Sequence, residues 1–233
     1  MKNFTIIIPI FNEIDSIFNL LHEIKKEFKG QLPEIIIVDD GSTDDFSKKK
    51  IELKKNSPKI FHHKKNLGKC RAMLTGVKNA KKKNICIIDG DGQNPPYEAK
   101  KLMIFWGNLS KLDKEFALIC GNRTNRQDTI VKRVSSKIAN KVRKKLLNDD
   151  CDDTACALKV FAKEDFLQIE YFVNMHRFLP ALFKLNCGKI FNVPIDDRKR
   201  VKGISKYTFN NRFWIGIFDL ITVWIMILKR RKK

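Results

Sequence analysis

Apolar runs of strand length alternate with amphipathic stretches between residues 4 and 88, and this alternation limits the possible folds more than any other feature. The strand-like runs are Phe4–Ile8, Glu34–Val38, Lys59–His62 and Ile85–Ile88, and the helix-like stretches are Ile14–Phe28, Asp44–Lys55 and Leu67–Ala80. Strands that are apolar on both faces are typical of a parallel sheet covered by helices on both sides. The sequence therefore predicts an α/β fold with ligands bound beyond the carboxyl ends of its strands.

The second half of the chain is less regular. It predicts strands at Ala117–Cys120, Ala155–Phe161 and Lys189–Pro194, and helices at Thr129–Leu147, Lys163–Ile169 and Met175–Leu185. An apolar segment, Phe213–Leu228, then precedes a run of five basic residues. We therefore divide the chain into a domain over residues 1–212 and an apolar helix with a basic tail over residues 213–233.

Composition narrows the function classes. A length of 233 residues suits one α/β domain, and 43% hydrophobic residues exclude a disordered or polytopic membrane chain. The net charge of +21 favours an anionic partner: nucleic acid, a membrane surface or a phosphorylated substrate. No aromatic-basic strand platform or recognition helix supports nucleic acid. Six cysteines without a Cys-x-x-Cys pair, and no signal peptide, predict a cytoplasmic protein without a zinc site.

Two polar turns follow the first two predicted strands. The first is Pro9–Glu13 and the second is Asp39–Asp44. Carboxylates in such turns accept hydrogen bonds from ribose hydroxyls and base N–H groups. Ser42 or Thr43 also suits the cap of the next helix. Capping does not account for the paired Asp39 and Asp40, so the second turn predicts contact with a nucleotide.

A third turn carries two aspartates one residue apart. It reads Asp89-Gly90-Asp91-Gly92-Gln93, follows a buried strand and precedes two prolines. Mg²⁺ and Mn²⁺ prefer oxygen ligands and are often shared between one or two carboxylates and substrate phosphates. The alternative is a solvated turn with a lysine counterion. The position of the pair after a parallel strand favours the metal.

Several motifs together resemble the family-2 glycosyltransferases of the GT-A fold. They are Pro9–Glu13, Asp39–Asp44, Asn66–Lys69 and Asp89–Pro96. Further motifs resemble the dolichol- or polyprenyl-phosphate branch, and above all bacterial proteins similar to dolichol-phosphate mannosyltransferases: Gly121–Arg123, Asp153–Lys159, His176–Pro180 and Gly203–Tyr207. The resemblance implies a Rossmann-like, mostly parallel sheet flanked by helices. It also implies an inverting transfer of sugar from a GDP- or UDP-sugar to a polyprenyl or dolichyl phosphate.

The same resemblance implies roles for individual residues. The nucleotide-sugar residues are Pro9, Phe11, Glu13, Asp40, Ser42 and Gln93. The metal ligands for Mg²⁺ or Mn²⁺ are Asp89, Asp91 and Gln93, and the catalytic set is Asp89, Asp91, Arg123, Arg200 and Lys206. Lys132 matches a further basic position. Asp197 departs from the family pattern because it stands where relatives often carry histidine.

The chemistry of a phosphate acceptor suits the basic second half of the chain. A sugar hydroxyl needs a general base to remove its proton, whereas a phosphate monoester, with a second pKa of about 6, is already largely dianionic at neutral pH. Such an acceptor needs cations to hold it, and Arg123, Arg200 and Lys206 are the candidates. Transfer to a hydroxyl of a glycolipid or cell-surface polysaccharide is the alternative. The intact Asp89/Asp91 pair argues against an inactive scaffold.

The tail predicts contact with a membrane. Phe213–Leu228 would be about 24 Å long as a helix, shorter than a hydrocarbon core of about 30 Å. Trp214 and Trp224 suit the headgroup boundary, and the basic run suits anionic lipid. We expect a peripheral or shallowly anchored helix at the cytoplasmic face, with a small integral-membrane protein as a further partner. A helix packed in the core is the alternative.

Overall fold

The computed structural model describes residues 1–44, 46, 58–124, 140–198 and 209–231, with side chains of the last segment described from 216 to 229. Its strands form one seven-stranded sheet in the order β3-β2-β1-β4-β6-β5-β7. They are β1 (Phe4–Ile10), β2 (Glu34–Asp39), β3 (Lys59–His62), β4 (Asn84–Ile87), β5 (Leu118–Arg123), β6 (Lys159–Ala162) and β7 (Ile190–Ile195). Only β6 pairs antiparallel, with β4 and β5. The mostly parallel sheet is confirmed.

Helices connect the strands. They are α1 (Ile14–Glu27), α2 (Lys69–Asn79), α3 (Pro96–Asn108), α4 (140–147), α5 (Lys163–Leu167), α6 (Leu179–Leu185) and α7 (Phe209–Arg231). Short 3₁₀ turns occupy Leu112–Lys114 and Met175–Arg177. Helix α3 is absent from the sequence-based prediction, although Pro96 at its first position is a common start signal. Most of the helix predicted over 44–55, and the first part of that over 129–147, lie outside the described residues.

The sheet is buried on both faces, as its continuous isoleucine runs predict. In β1, Ile6 and Ile8 belong to one hydrophobic cluster and Ile7 to the other. Helices α1 and α3 cover the first face, whereas α2 and α4–α7 contribute to the second. This alternation follows from the two-residue period of a strand, which places neighbouring side chains on opposite faces.

The register of the central strands brings the predicted turns to one edge. Ile10 at the end of β1 lies beside Asp39 at the end of β2, and Asp39 lies beside His62 at the end of β3. Strand β4 runs parallel to β1 on its other side. The turns that follow β1, β2 and β4 are therefore neighbours.

Helix α7 is packed on the domain by one face and exposed on the other. It begins at Phe209, four residues before the predicted apolar segment. Val223 and Ile227 are buried in the second cluster, while Phe218 on the opposite side is 77% exposed. Among the described residues, no helix combines the length and hydrophobicity that crossing a bilayer requires.

The packing of α7 can be tested with two isoleucine-to-alanine substitutions on opposite faces of the helix. We expect Ile227→Ala to lower the free energy of unfolding by about 2–5 kcal/mol, because it deletes buried methyl groups. Ile225→Ala, on the outer face of the same helix, should change it by less than about 0.5 kcal/mol. Urea unfolding of the full chain measures both. Equal effects of the two substitutions would show that α7 is not docked on the domain.

Candidate functional site

The carboxylate of Asp40 holds the turn that follows β3. It is 3% exposed, and its oxygens accept the N–H groups of Leu67 at 3.0 Å and Gly68 at 2.8 Å. The Nδ1 atom of His63 lies 2.7 Å from Asp40 Oδ1, and its Nε2 lies 2.9 Å from Thr75 Oγ1. Both carboxylate oxygens thus have protein partners. The predicted contact between Asp40 and the donor stays a prediction.

A parallel arrangement holds the neighbouring aspartate. Asp39 is fully buried, accepts the Ser42 N–H at 2.9 Å and lies 2.5 Å from Nδ1 of His62. Two consecutive acids at the end of β2 therefore face two consecutive histidines at the end of β3. This pairing is not part of the sequence-based prediction. Its signal was available, because adjacent parallel strands that end in Asp-Asp and His-His place two acids beside two histidines.

The first two turns are joined by Asn12. This residue has a positive φ of 55°. Its backbone N–H donates to Ser42 Oγ at 2.8 Å, and its side-chain oxygen accepts the Thr43 N–H at 2.7 Å. Ser42, which lies in the second turn, therefore also stabilises the first turn through this hydrogen bond. Phe11 and Glu13 are half-buried beside Asn12, and Pro9 is buried at the end of β1.

Gly41 allows the second turn to approach the turn after β3. Its φ is +75°, and an added Cβ would lie 2.5 Å from the carbonyl carbon of Lys65. A side chain there would collide with backbone, so only glycine fits this approach. The turns after β1, β2 and β3 thus form one continuous wall.

The third turn contains the two aspartates predicted to bind metal. Asp89 is half-buried, and its Oδ1 lies 2.5 Å from Lys69 Nζ, at the start of α2. Asp91 is 5% exposed and accepts the Gln93 N–H at 3.0 Å. The lysine counterion, which the sequence offered as the alternative to a metal, is therefore present on one of the two acids. A lysine that enters from α2 was not foreseen.

The base of this turn is fixed from two sides. Ser16 of α1 donates to the Gly90 carbonyl at 2.7 Å. Arg198 donates from its backbone to the Gln93 carbonyl at 3.0 Å and from Nε to the Gly92 carbonyl, and its guanidinium contacts Glu23 of α1. The contacts of Arg198 tie the segment after β7 to the third turn, Asp89–Gln93, which we call the metal turn after its predicted ligands.

The donor set of the turn fits a hard divalent cation shared with substrate. Asp89 and Asp91 supply carboxylate oxygens, and Mg²⁺ or Mn²⁺ needs only one or two of these when phosphate oxygens and water complete the shell. Within the described ranges, no group of three or more His, Cys, Asp or Glu residues is placed to hold an ion. A closed structural metal site is therefore not formed by these residues, whereas an open site with Gln93 nearby is consistent with them.

Arg123 at the end of β5 is bound by acids. It forms a bidentate pair with Asp153 at 2.6 and 3.0 Å, and its third nitrogen lies 3.6 Å from Asp197. Burial opposes its charge, but the hydrogen bonds to Asp153 raise the pKa of Arg123 above its usual range. Burial also raises the pKa of Asp197, an effect that Arg123 opposes and Asp91 adds to. Asp197, the departure from the family pattern, thus lies close to Arg123 and within electrostatic reach of Asp91.

Some predicted site residues cannot be placed. Arg200, Lys206 and Lys132 lie outside the described residues. The described residues place the predicted nucleotide residues, the predicted metal ligands and Arg123 at the same edge of the sheet. Another residue enters from the second half: His176, whose Nδ1 lies 3.0 Å from Cys70 Sγ, next to Lys69. This contact leaves no local pattern in the sequence, because 106 residues separate its partners.

Comparison with protein families gives one assignment. The sequence profile of glycosyl transferase family 2 matches residues 5–169. The matched part includes the three turns, the metal pair, Arg123 and β6. It ends before α6, β7 and α7.

Curated relatives align along nearly the whole chain. The dodecaprenyl-phosphate galacturonate synthase of Rhizobium johnstonii is 28% identical over 228 residues, which cover 94% of this chain and 65% of the relative. The undecaprenyl-phosphate 4-deoxy-4-formamido-L-arabinose transferase of Klebsiella pneumoniae is 27% identical over 230 residues, which cover 95% and 67%. The chain thus spans about two thirds of the length of these relatives.

Solved structures share the fold. Glucosyl-3-phosphoglycerate synthase from Mycobacterium tuberculosis, with Mn²⁺, UDP and glucosyl-3-phosphoglycerate, superimposes with a TM-score of 0.71 and 14% identity over 97% of this chain and 80% of that chain. The same enzyme with Mg²⁺ and UDP gives 0.71 and 13% over 97% and 79%. At these identities the likeness concerns the fold alone, and it confirms the GT-A arrangement.

The position of Asp40 leads to a test that separates structure from ligand binding. We expect Asp40→Asn to lower the free energy of unfolding by about 1–3 kcal/mol without any nucleotide, because a buried acceptor is lost. Asp89→Asn makes the same change on a half-exposed acid and should cost less than about 1 kcal/mol. Urea unfolding gives both values. If Asp40→Asn spared stability and weakened only nucleotide affinity, its carboxylate would be a ligand contact instead.

Proposed function

The chain belongs to glycosyl transferase family 2, and we propose that it transfers a sugar from a nucleotide-sugar to a polyprenyl phosphate, with inversion at the anomeric carbon. The product is a lipid-phosphate-linked monosaccharide. One observation carries the proposal. The Asp89-Gly90-Asp91 turn lies beside the ends of β1 and β2, in a chain similar over 94% of its length to a polyprenyl-phosphate sugar transferase.

The donor lies against the part of the wall formed by the turns after β1 and β2. Pro9, Phe11 and Glu13 follow β1, and Ser42 follows β2. Because Asp40 is engaged with Leu67 and Gly68, its contribution to donor binding is to fix the wall against which the base and ribose lie. The relatives carry galacturonate and 4-deoxy-4-formamido-L-arabinose in their names. A GDP- or UDP-linked sugar is the donor class, and mannose is one member to be tested.

Asp89, Asp91 and Gln93 would hold a Mg²⁺ or Mn²⁺ ion beside the donor diphosphate. When bound, the ion supplies Lewis-acid stabilisation of the charge that develops on the departing nucleoside diphosphate. Lys69 places a fixed positive charge 2.5 Å from Asp89, so the leaving group also meets a cation from the chain itself. Ser16 and Arg198 keep the turn in position from below.

The acceptor phosphate is held by cations from the second half. A phosphate monoester dianion needs no general base, but it must approach the anionic donor, which repels it strongly in a partly desolvated site. Arg123 is oriented by its bidentate pair with Asp153. Arg200 and Lys206 follow β7, whose end lies beside the end of β5 and Arg123. We assign these two residues to the acceptor phosphate.

The protein works at a membrane surface in this proposal. A polyprenyl phosphate is embedded in lipid, and α7 exposes apolar side chains on its outer face. We place the protein at the cytoplasmic face, bound peripherally through residues 213–233, with a small integral-membrane protein as a further partner.

The activity can be tested directly. We expect the full chain, with labelled UDP- or GDP-sugars, Mn²⁺ and undecaprenyl phosphate, to transfer label into the lipid extract. Asp91→Asn should abolish this transfer, and EDTA should do so reversibly, with Mg²⁺ or Mn²⁺ restoring it. Lys189→Ala, at the opposite edge of the sheet, is the matched control and should keep full activity.

Two outcomes would contradict the proposal. Label that enters a glycolipid or polysaccharide but never a lipid phosphate would support the hydroxyl acceptor. Full transfer in EDTA would remove the metal assignment.

The division between donor and acceptor residues leads to a second kinetic test. We expect Arg200→Ala to lower kcat/KM for polyprenyl phosphate about tenfold or more, since a charge-assisted hydrogen bond contributes about 1.5–3 kcal/mol. Calorimetric affinity for the nucleotide-sugar should stay nearly unchanged, as should both values for Lys189→Ala. A collapse of donor affinity would move Arg200 to the diphosphate site.

A further inference from the structure

The outer face of α7 is an apolar stripe without a cover among the described residues. Its exposed side chains recur at spacings of three and four residues, which places them on one side of the helix. They are Phe218 (77% exposed), Ile221 (47%), Trp224 (38%), Ile225 (42%) and Leu228 (37%). Val223 and Ile227 point the other way, into the domain. When a surface helix is apolar on its outer side as well as its inner side, the exposed apolar side indicates a binding surface.

Helix α4 repeats this arrangement on a smaller scale. Its Arg143 and Leu147 are buried, at 6% and 3% exposure. Val142 and Leu146, one turn apart, are 48% and 42% exposed. Lys141 and Lys145 are exposed beside them.

The two helices lie on the same side of the sheet. Leu147 of α4 and Val223 and Ile227 of α7 belong to the same hydrophobic cluster. Leu147 and Ile227 also line one groove of about 380 Å³, whose floor includes Ala181 of α6. Because α4 and α7 both bury side chains in this cluster, their exposed side chains face outward on the same side of the protein. We call the exposed residues of α4 and α7 the two-helix face.

The chemistry of the two-helix face suits an anionic lipid surface. Lys141, Lys145 and Lys229 are exposed next to its apolar side chains. Apolar side chains enter the boundary between headgroups and acyl chains, while long lysine side chains reach back to lipid phosphates. Each lysine near an anionic surface strengthens binding roughly fivefold.

Helix α7 also lies near the segment that contacts the start of α2. Burial raises the pKa of Asp219 of α7, and the adjacent Asn174 lowers it. Two residues on, His176 contacts Cys70, and the adjacent Lys69 contacts Asp89. A short series of contacts thus links α7 to the metal turn. This step rests on the proposed function, because a lipid-bound phosphate must reach that turn.

We propose that α4 and α7 together form the membrane-docking surface, so that the domain rests on anionic lipid through its α4–α7 side and not through the tail alone. Helix α4 is the new element, since it lies more than 60 residues before α7 in the chain.

The test uses the full chain and vesicles that contain no substrate. Co-sedimentation with phosphatidylcholine vesicles and with mixed phosphatidylcholine–phosphatidylglycerol vesicles gives the partition coefficients. We expect binding to the anionic vesicles, weakened by salt. Leu146→Glu in α4 and Ile225→Glu in α7 should each reduce it at least about tenfold, the factor for withdrawing one leucine-sized side chain from an apolar medium. Ile104→Glu, equally exposed on α3 at the opposite sheet face, is the matched control and should bind as the parent chain does.

Each result has one meaning. Loss in the α4 and α7 variants with retention in the α3 variant supports the two-helix face. Loss in the α7 variant alone overturns the role of α4, and equal binding to neutral vesicles overturns the role of the lysines. A parent chain that ignores vesicles but forms a dimer broken by Leu146→Glu shows that the face meets a second copy instead. Urea unfolding of each variant confirms an intact fold. The vesicle assay contains no donor or acceptor. Loss of vesicle binding and loss of sugar transfer can therefore be observed independently of each other.

Discussion

A single buried carboxylate at the end of β2 determines how the site is assembled. Asp40 accepts the backbone N–H groups of Leu67 and Gly68, which lie directly before α2. The start of α2 presents Lys69 to Asp89 on one side, and Cys70 to His176 on the other. Leaving such a buried carboxylate without donors is costly. The position of α2, and with it the electrostatics of the metal turn, therefore depends on this carboxylate.

Much of the fold follows from the sequence, because burial on both faces leaves a strong pattern. Strand β3 has the predicted bounds, and β1, β2 and β4 differ from prediction by at most two residues. Helix α3 was missed. Its inner residues Leu102, Met103 and Trp106 are buried, but Ile104 and Phe105 beside them are exposed, so the apolar stripe is blurred. The alternation that defines an amphipathic helix is lost when apolar residues occupy both of its sides.

The sequence predicts where the site residues lie in the fold, but it does not predict which side chains form ion pairs and hydrogen bonds with them. Motif spacing placed Asp89 and Asp91 after a parallel strand, and the pairing of β4 with β1 brings their turn next to the turn that follows β1. The ion pair of Asp89 with Lys69, and the clamp of Arg198 on Gly92, depend on how helices and loops pack in three dimensions. Partners 20 and 106 residues apart leave no local pattern in a chain with 47 lysines and arginines. Because basic residues are so numerous, the sequence alone does not distinguish the few lysines and arginines that form structural ion pairs from those on the surface.

The antiparallel strand β6 is synthesised long after β4, the strand with which it pairs, and this delay matters while the chain is being made. Strand β4 pairs on one side with β1, which precedes it, and on the other with Lys159–Ala162, which the ribosome adds about 70 residues later. Until then the nascent chain carries an unpaired strand edge of apolar residues, Ile85, Cys86 and Ile87, which are fully buried in the finished sheet. Such edges pair readily with other chains. The time taken to synthesise residues 88–159 therefore sets how long this edge is open to pairing with other chains.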